Sequence, residues 1–256
     1  GGTLGTAEAA KAAPDGYTLL LTTSSTHAIS PHLMPKLPYD PRKDFTPVAH
    51  VADAPSVLLV TNSLPVKTVG ELIAYAKAHP GELTCGSAGN GTASHLACEL
   101  LNQMAGVKIM HIPYKGGSAA MTDLLGGRMS RLIDVMPNVS GQIAAGKLRA
   151  LGVTTPQRVA SNPDIPTIDE AGVKGYGFFA WDGLYAPKGT PKPVIDKLVA
   201  ALQKALEDEN LNKRFADLGA TTVSKDRATP EALKKHLAAE IDRWRPVIQK
   251  AGVYAD

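Results

Sequence analysis

Short apolar runs alternate with amphipathic stretches along most of this chain, the pattern of a fold built from alternating strands and helices. Residues 17–22, behind the turn Pro14, Asp15, Gly16, and residues 57–61 are continuous apolar runs of strand length. Thr68 and Glu71 form a capping box. It opens a helix through Leu72, Ile73 and Ala76 that stops at Pro80 and Gly81. Residues 83–85 predict a short strand. In the helix after it, Leu96, Leu100, Leu101 and Met104 share one side, and Gly106 fits the C-terminal cap. Further strands are predicted at residues 108–112, 132–135, 148–153 and 178–185, with a short helix over 118–125. Thr167 and Glu170 make a second capping box, on a single helical turn closed by Gly172.

Beyond Pro187 the pattern becomes helical. Thr190–Pro191 and Thr229–Pro230 each place Thr at a cap and Pro at the first helical position. Ile195, Leu198, Val199, Leu202 and Leu206 form one apolar stripe; Leu233, Leu237, Ile241, Trp244 and Ile248 form another. There is no internal repeat, low-complexity tract or Gly/Ser linker. Two lobes therefore require the chain to cross on extended segments, at 57–62 going out and 179–186 coming back. That divides the chain into a discontinuous lobe 1 of residues 1–60 with 180–256, and a lobe 2 of residues 61–179.

The length of 256 residues suits two lobes or one large α/β domain. A net charge of +3 with dispersed basic residues and 5% aromatics argues against a nucleic-acid face. No apolar run approaches the ~18 residues that span a bilayer. The two cysteines, Cys85 and Cys98, have neither CxxC nor zinc spacing. One falls in a predicted strand and the other inside the next helix, so two buried small hydrophobes are expected rather than a disulfide.

The sharpest local feature is Ser87, Ala88, Gly89, Asn90, Gly91, Thr92. A strand runs into a Gly-rich turn and a helix starts near Thr92. Gly89 and Gly91 can take positive φ. The first N–H groups of the helix, with its dipole, would then face an anion. Ser87, Asn90, Thr92 and Ser94 could add side-chain donors. The same residues also fit a plain strand-to-helix turn in which glycine serves geometry alone. The glycine spacing fits neither the dinucleotide nor the Walker fingerprint. Ser24, Ser25, Thr26 and His27 follow a strand in the same way, at the end where open α/β sheets place ligands; an ordinary helix-capping cluster would account for some of them. Lys115 is either a counter-charge or a solvated lysine. Asp134 ends an apolar strand, where it can accept from a ligand amine, water or backbone N–H, or serve a turn. No GxSxG, HExxH or metal-ligand spacing occurs, and none of the seven histidines pairs with another at such a spacing. Ser94 and His95 are adjacent, so on a helix their side chains diverge. No catalytic residue, metal or cofactor is expected.

Several stretches together resemble the substrate-binding proteins of tripartite tricarboxylate transporters, the Bordetella uptake gene family. They are residues 1–8, 13–21, Thr26–His27 leading to Pro31, 39–41, 44–48, 86–92 with His95 and Leu96, 113–117, 181–184 and 186–191. The resemblance implies a type II periplasmic-binding-protein fold of two doubly wound α/β lobes joined by crossing strands. It implies a periplasmic, monomeric receptor that takes a small organic acid (a dicarboxylate, amino acid or aromatic acid) in its cleft, without metal or cofactor, for membrane transporter subunits. It carries ligand contacts to Ser87, Ala88, Gly89, Asn90, Gly91 and Thr92, and also to Ser24, Ser25, Thr26, His27 and Asp134. Family members have a strand, a Pro/Gly-rich loop and a helix ahead of the stretch matching Gly1 and Gly2. The expectation is therefore a lobe 1 whose first strand and helix are missing. Alternatives are a receptor that reports to a signalling partner, or a doubly wound hydrolase using Ser94, His95 or His27.

Overall fold

The computed structural model of the chain describes residues 2–252. In chain order its elements are α1 (Thr3–Lys11), β1 (Leu20–Thr23), a π-helical turn (Ser25–Ile29), α2 (Ser30–Leu33), β2 (Phe45–Thr61), α3 (Val69–Ala78), β3 (Thr84–Ser87), α4 (Ala93–Ala105), β4 (Met110–Pro113) and α5 (Gly117–Leu125). They continue with β5 (Arg131–Val135), α6 (Met136–Ala144), β6 (Leu148–Val153), β7 (Phe179–Pro187), α7 (Lys192–Leu206), α8 (Glu209–Asp217), β8 (Thr221–Thr222) and α9 (Pro230–Ala251). The chain forms two compact units, one of residues up to Asp53 with those from Trp181 onward, the other Ala54–Ala180. It changes unit within β2 and again within β7.

In the first unit β1 pairs antiparallel with β7, β7 neighbours β2, and β8 closes on β2 at Ala52 and Asp53. Successive residues of β2 feed opposite faces. Val48 packs with Ala186 and Ile195, while Ala49 packs with Leu206, Val223 and Ala228. The predicted stripe of α9 is buried along its whole length, from Leu233 to Ile248. Thr229 caps that helix by accepting from Ala232 N–H at 3.2 Å. Thr190 does not cap α7. Its hydroxyl donates to the Pro187 carbonyl at 2.8 Å instead, and the helix starts at Lys192.

In the second unit the end of β2 pairs antiparallel with β5 on one side and β6 on the other. β3 runs parallel to both β4 and β5. The order is therefore β6–β2–β5–β3–β4. Val57, Leu58, Leu59 and Val60 are all fully buried, as a continuous apolar run requires when both sheet faces are covered. Val57, Leu59, Leu132, Met136, Val139 and Val153 belong to the core on one of these faces. Thr68 caps α3 by accepting from Glu71 N–H at 3.1 Å, but the Glu71 carboxylate accepts from Lys67 N–H at 2.6 Å and not from Thr68, so only half of that box forms. Thr167 and Glu170 do exchange reciprocal 2.9 Å bonds. The second box caps a turn that does not extend into a helix.

Cys85 and Cys98 are joined in a disulfide, which corrects the expectation of two unbridged thiols. The helix α4 folds back against β3 and brings the two Cα atoms to 6.7 Å, although strand, turn and helix separate them in sequence. The bridge ties the strand on one side of the Gly-rich turn to the helix on the other. Closing so short a loop limits the unfolded chain by about 3 kcal/mol. Replacing both cysteines by Ala is expected to lower unfolding free energy by about that amount in denaturant melts. Wild-type protein treated with reductant should fall equally. An unchanged melt with both thiols titratable would show that the bridge contributes nothing.

Candidate functional site

Parallel pairing sends β3, β4 and β5 in one direction, so their carboxyl ends share one edge of the sheet. Each strand is followed by a helix: α4 after residues 88–92, α5 after 114–116, and α6 directly after Val135. Three helix N-termini therefore gather at that edge, and their partial positive charges favour an anion there. The loops are bonded to each other. Tyr114 N–H donates to the Ser87 carbonyl and Gly116 N–H to the Ala88 carbonyl, both at 3.1 Å.

The backbone of the first loop needs its glycines. Gly89 has φ +135° and Gly91 φ +71°, both in the region that side-chain-bearing residues rarely adopt. Below them, a Cβ on Gly86 would meet Met129 Sδ at 2.0 Å. The amides of the loop itself already have acceptors. Ala88 N–H donates to Ser94 Oγ at 3.0 Å, Gly89 N–H to Ser87 Oγ at 3.1 Å, and Gly91 N–H to His95 Nδ1 at 3.1 Å. Thr92 turns its hydroxyl to the Gly89 carbonyl at 2.7 Å and lies 3.0 Å from Ser94 Oγ. The reason is local. The hydroxyls and imidazole that begin α4 lie within reach of the amides before it, and buried amides take whatever acceptor is nearest. Asn90 is exposed, Ala88 and Gly89 are half-buried, and Ser87 is fully buried.

Two histidines support this turn. His95 and His111 stack face to face, centroids 3.7 Å apart. His111 Nε2 lies 2.6 Å from Ser87 Oγ. Because His95 Nδ1 accepts from Gly91, its proton sits on Nε2. Burial pushes His95 down to about 3, aided by His111, and His111 down to about 4. The Ser87–His111 contact is the element that sequence reasoning misses. Only the register that sets Cys85 opposite His111 reveals it.

Asp134 lies at the same edge, between α5 and α6. Its Oδ1 accepts from Val135 N–H at 2.8 Å and Asn138 Nδ2 at 3.2 Å, and a Cβ on Gly117 would come 3.3 Å from Oδ2. Burial raises its pKa, and the two donors oppose the rise. Lys115 is exposed on the loop before α5.

The other predicted set lies in the first unit, so the sequence-predicted residues fall in two units. Ser24, Thr26 and His27 are buried and Ser25 is half-buried. Thr26 bonds to the Thr22 hydroxyl and to the Thr23 carbonyl, and its own carbonyl accepts from Tyr39 OH at 2.8 Å. His27 sits among aromatic rings, with the Tyr185 centroid 4.5 Å and the Phe45 centroid 5.0 Å away. Burial lowers its pKa to about 3. This cluster is bound into the core around a π-helical turn.

The chain matches the sequence profile of the tripartite tricarboxylate transporter family receptors over residues 1–253. It is 42% identical to a UPF0065 protein of Agrobacterium vitis, over 98% of this chain and 72% of that one. It is 39% identical to BugT of Bordetella pertussis, over 98% of this chain and 77% of the relative. Among solved structures, the periplasmic binding protein BugD superposes with a TM-score of 0.92 at 39% identity, covering 100% of this chain and 85% of its own. An R. palustris protein with adipate gives 0.93 at 37%, covering 99% and 84%. MatC from Rhodopseudomonas palustris with bound malate gives 0.89 at 37%, covering 96% and 84%.

The pKa shifts fix the sign of an acid response. Below the ordinary histidine value of 6.5, unfolded chains take up protons that folded His27, His95 and His111 refuse. The stability that these three histidines contribute is therefore fully present above about 6.5 and is lost as pH falls toward their folded values, about 4 for His111 and about 3 for His27 and His95. Urea melts between pH 7 and pH 4.5 are expected to trace that decline, with a shallower slope in His111→Gln. An identical slope in the variant would remove His111 from the account.

Proposed function

Because the chain belongs to the tripartite tricarboxylate transporter receptor family, we propose that it is an extracytoplasmic receptor that binds a small organic dicarboxylate and delivers it to membrane transporter subunits. The observation that carries the reading is the gathering of three helix N-termini at the carboxyl edge of β3, β4 and β5, with the Gly-rich turn of β3 among them. One ligand carboxylate takes donors from residues 88–92, replacing the internal acceptor Ser94 Oγ at Ala88 N–H. Thr92 and Ser94 hydroxyls then turn to donate to it. Asp134 receives a polar end of the ligand, directly or through water. The adipate and malate seen in two neighbours support a diacid. The disulfide fits an oxidising compartment such as the periplasm. The protein acts by binding alone. The Ser87–His111 pair orients the turn, since the serine hydroxyl is buried and already bridges Gly89 N–H and carbonyl.

Calorimetry with adipate, malate and their dimethyl esters tests this. The free diacids should bind and the esters should not. Gly91→Val forces a β-branched residue into positive φ and is expected to weaken binding by at least about tenfold. Lys115→Ala, removing an exposed charge, should stay within about threefold. No diacid binding at millimolar concentration sinks the proposal; equal losses at both positions would mean that charge, and not the backbone turn, holds the acid.

A further inference from the structure

The first unit holds a cavity of its own, about 320 Å³ in volume, between the segment leading into β2, β7 and α9. Its size falls within the range of small-molecule pockets, roughly 300–1,000 Å³. Phe45, Pro47, Leu237 and Ala238 make an apolar wall. Two cations, Arg42 and Lys234, also line it, and both are exposed. Neither is tightly engaged. Arg42 reaches Asp242 only at 3.9 Å, and Asp242 lies closer to Arg245, at 3.0 Å. Lys234 has no ion-pair partner among the described residues. Tyr185 also lines the cavity, and its hydroxyl is buried with no hydrogen-bond partner among the described residues. An adjoining hollow of about 350 Å³ shares Pro41 and Arg42 and leaves room for a longer ligand body.

We propose that this cavity is a second binding site, for a monocarboxylate with an apolar body such as a medium-chain or phenyl-substituted acid. The head pairs with Arg42 and Lys234, and the body covers Phe45, Pro47 and Leu237. The distribution of charge selects this class. The two cations are exposed while Phe45 and Leu237 are buried, so a single ionised end is matched at the rim, and a second charge inside would meet only the neutral Tyr185 hydroxyl, with no cation to pair it. The head does not sit in the adjoining hollow, because Asp40 lines that one. The site is independent of the dicarboxylate reading, since every residue of it belongs to the first unit and none belongs to the Gly-rich turn.

Calorimetry with octanoate, 1-octanol and succinate separates the outcomes. Octanoate should bind wild-type protein, and octanol should bind at least about tenfold more weakly, a difference of about 1.4 kcal/mol. The exposed pair Arg42→Ala with Lys234→Ala should weaken octanoate by about tenfold or more, with the thermal melt unchanged. Ala238→Phe, which fills the cavity from its wall, should abolish it. Gly91→Val should leave it within about twofold, and succinate should not compete. The proposal is overturned if octanoate fails to bind at millimolar concentration, if octanol binds equally well, or if Gly91→Val removes octanoate binding while the rim pair does not.

Discussion

The parallel pairing of β3 with both β4 and β5 is the constraint on which the candidate site depends. Parallel neighbours need crossover connections, and here helices supply them. That geometry alone brings three helix N-termini to one edge, before any side chain is considered. Antiparallel pairing of any one strand would send its helix to the opposite edge. The remaining features adjust this arrangement. Gly86 lets Met129 pack beneath the turn, Gly89 and Gly91 bend it, and the Cys85–Cys98 bridge fixes strand to helix.

Within the turn, the protein supplies its own acceptors. Ser94, Ser87 and His95 occupy the amides that an anion would use. A neutral hydrogen bond of this kind contributes about 0.5–1.5 kcal/mol net. A charge-assisted bond from the same amide to a carboxylate is roughly twice as strong. Exchanging a hydroxyl acceptor for a carboxylate therefore strengthens the amide's bond, and the displaced hydroxyl keeps its proton, which it can turn to the same carboxylate. His95 cannot make the same change. Burial keeps it neutral, so Nδ1 stays an acceptor for Gly91 and holds the shape of the turn.

Much of this was legible in the residue pattern because periodicity and capping are local. β6 begins and ends at the predicted residues 148–153, and Thr68 and Thr167 both cap as their spacing requires. The stripe of α9 is buried as spaced. Other elements were hidden for identifiable reasons. Pro47 and Pro55 break the pattern of β2, so only its end reads as a strand. α8 buries no residue fully, and Leu211 and Phe215, half-buried and one turn apart, make too short a stripe to stand out. α6 has Gly141 in its interior, a poor helix former, and no side-chain cap to mark its start. The disulfide and the Ser87–His111 contact join residues that only strand register and helix packing bring together. His27 is the converse case. A histidine past a strand's end suggests chemistry, yet here it fills the space between Tyr39, Phe45 and Tyr185.

The two units thus approach anions by different physics. The turn of the second unit offers backbone dipoles and hydroxyls fixed by glycine geometry, with the negative Asp134 at the same edge and the exposed Lys115 on the neighbouring loop. Such a surface discriminates by shape and by the spacing of polar ends, and screening by salt weakens it little where the groups are buried. The cavity of the first unit offers two exposed cations over apolar walls. Its attraction is largely hydrophobic, about 25 cal/mol per Å² of apolar surface covered, with exposed charges adding a salt-sensitive increment. A compact diacid covers too little apolar surface to prefer the cavity, and a long monoacid presents only one end that the turn can use. On these two proposals neither class of acid displaces the other.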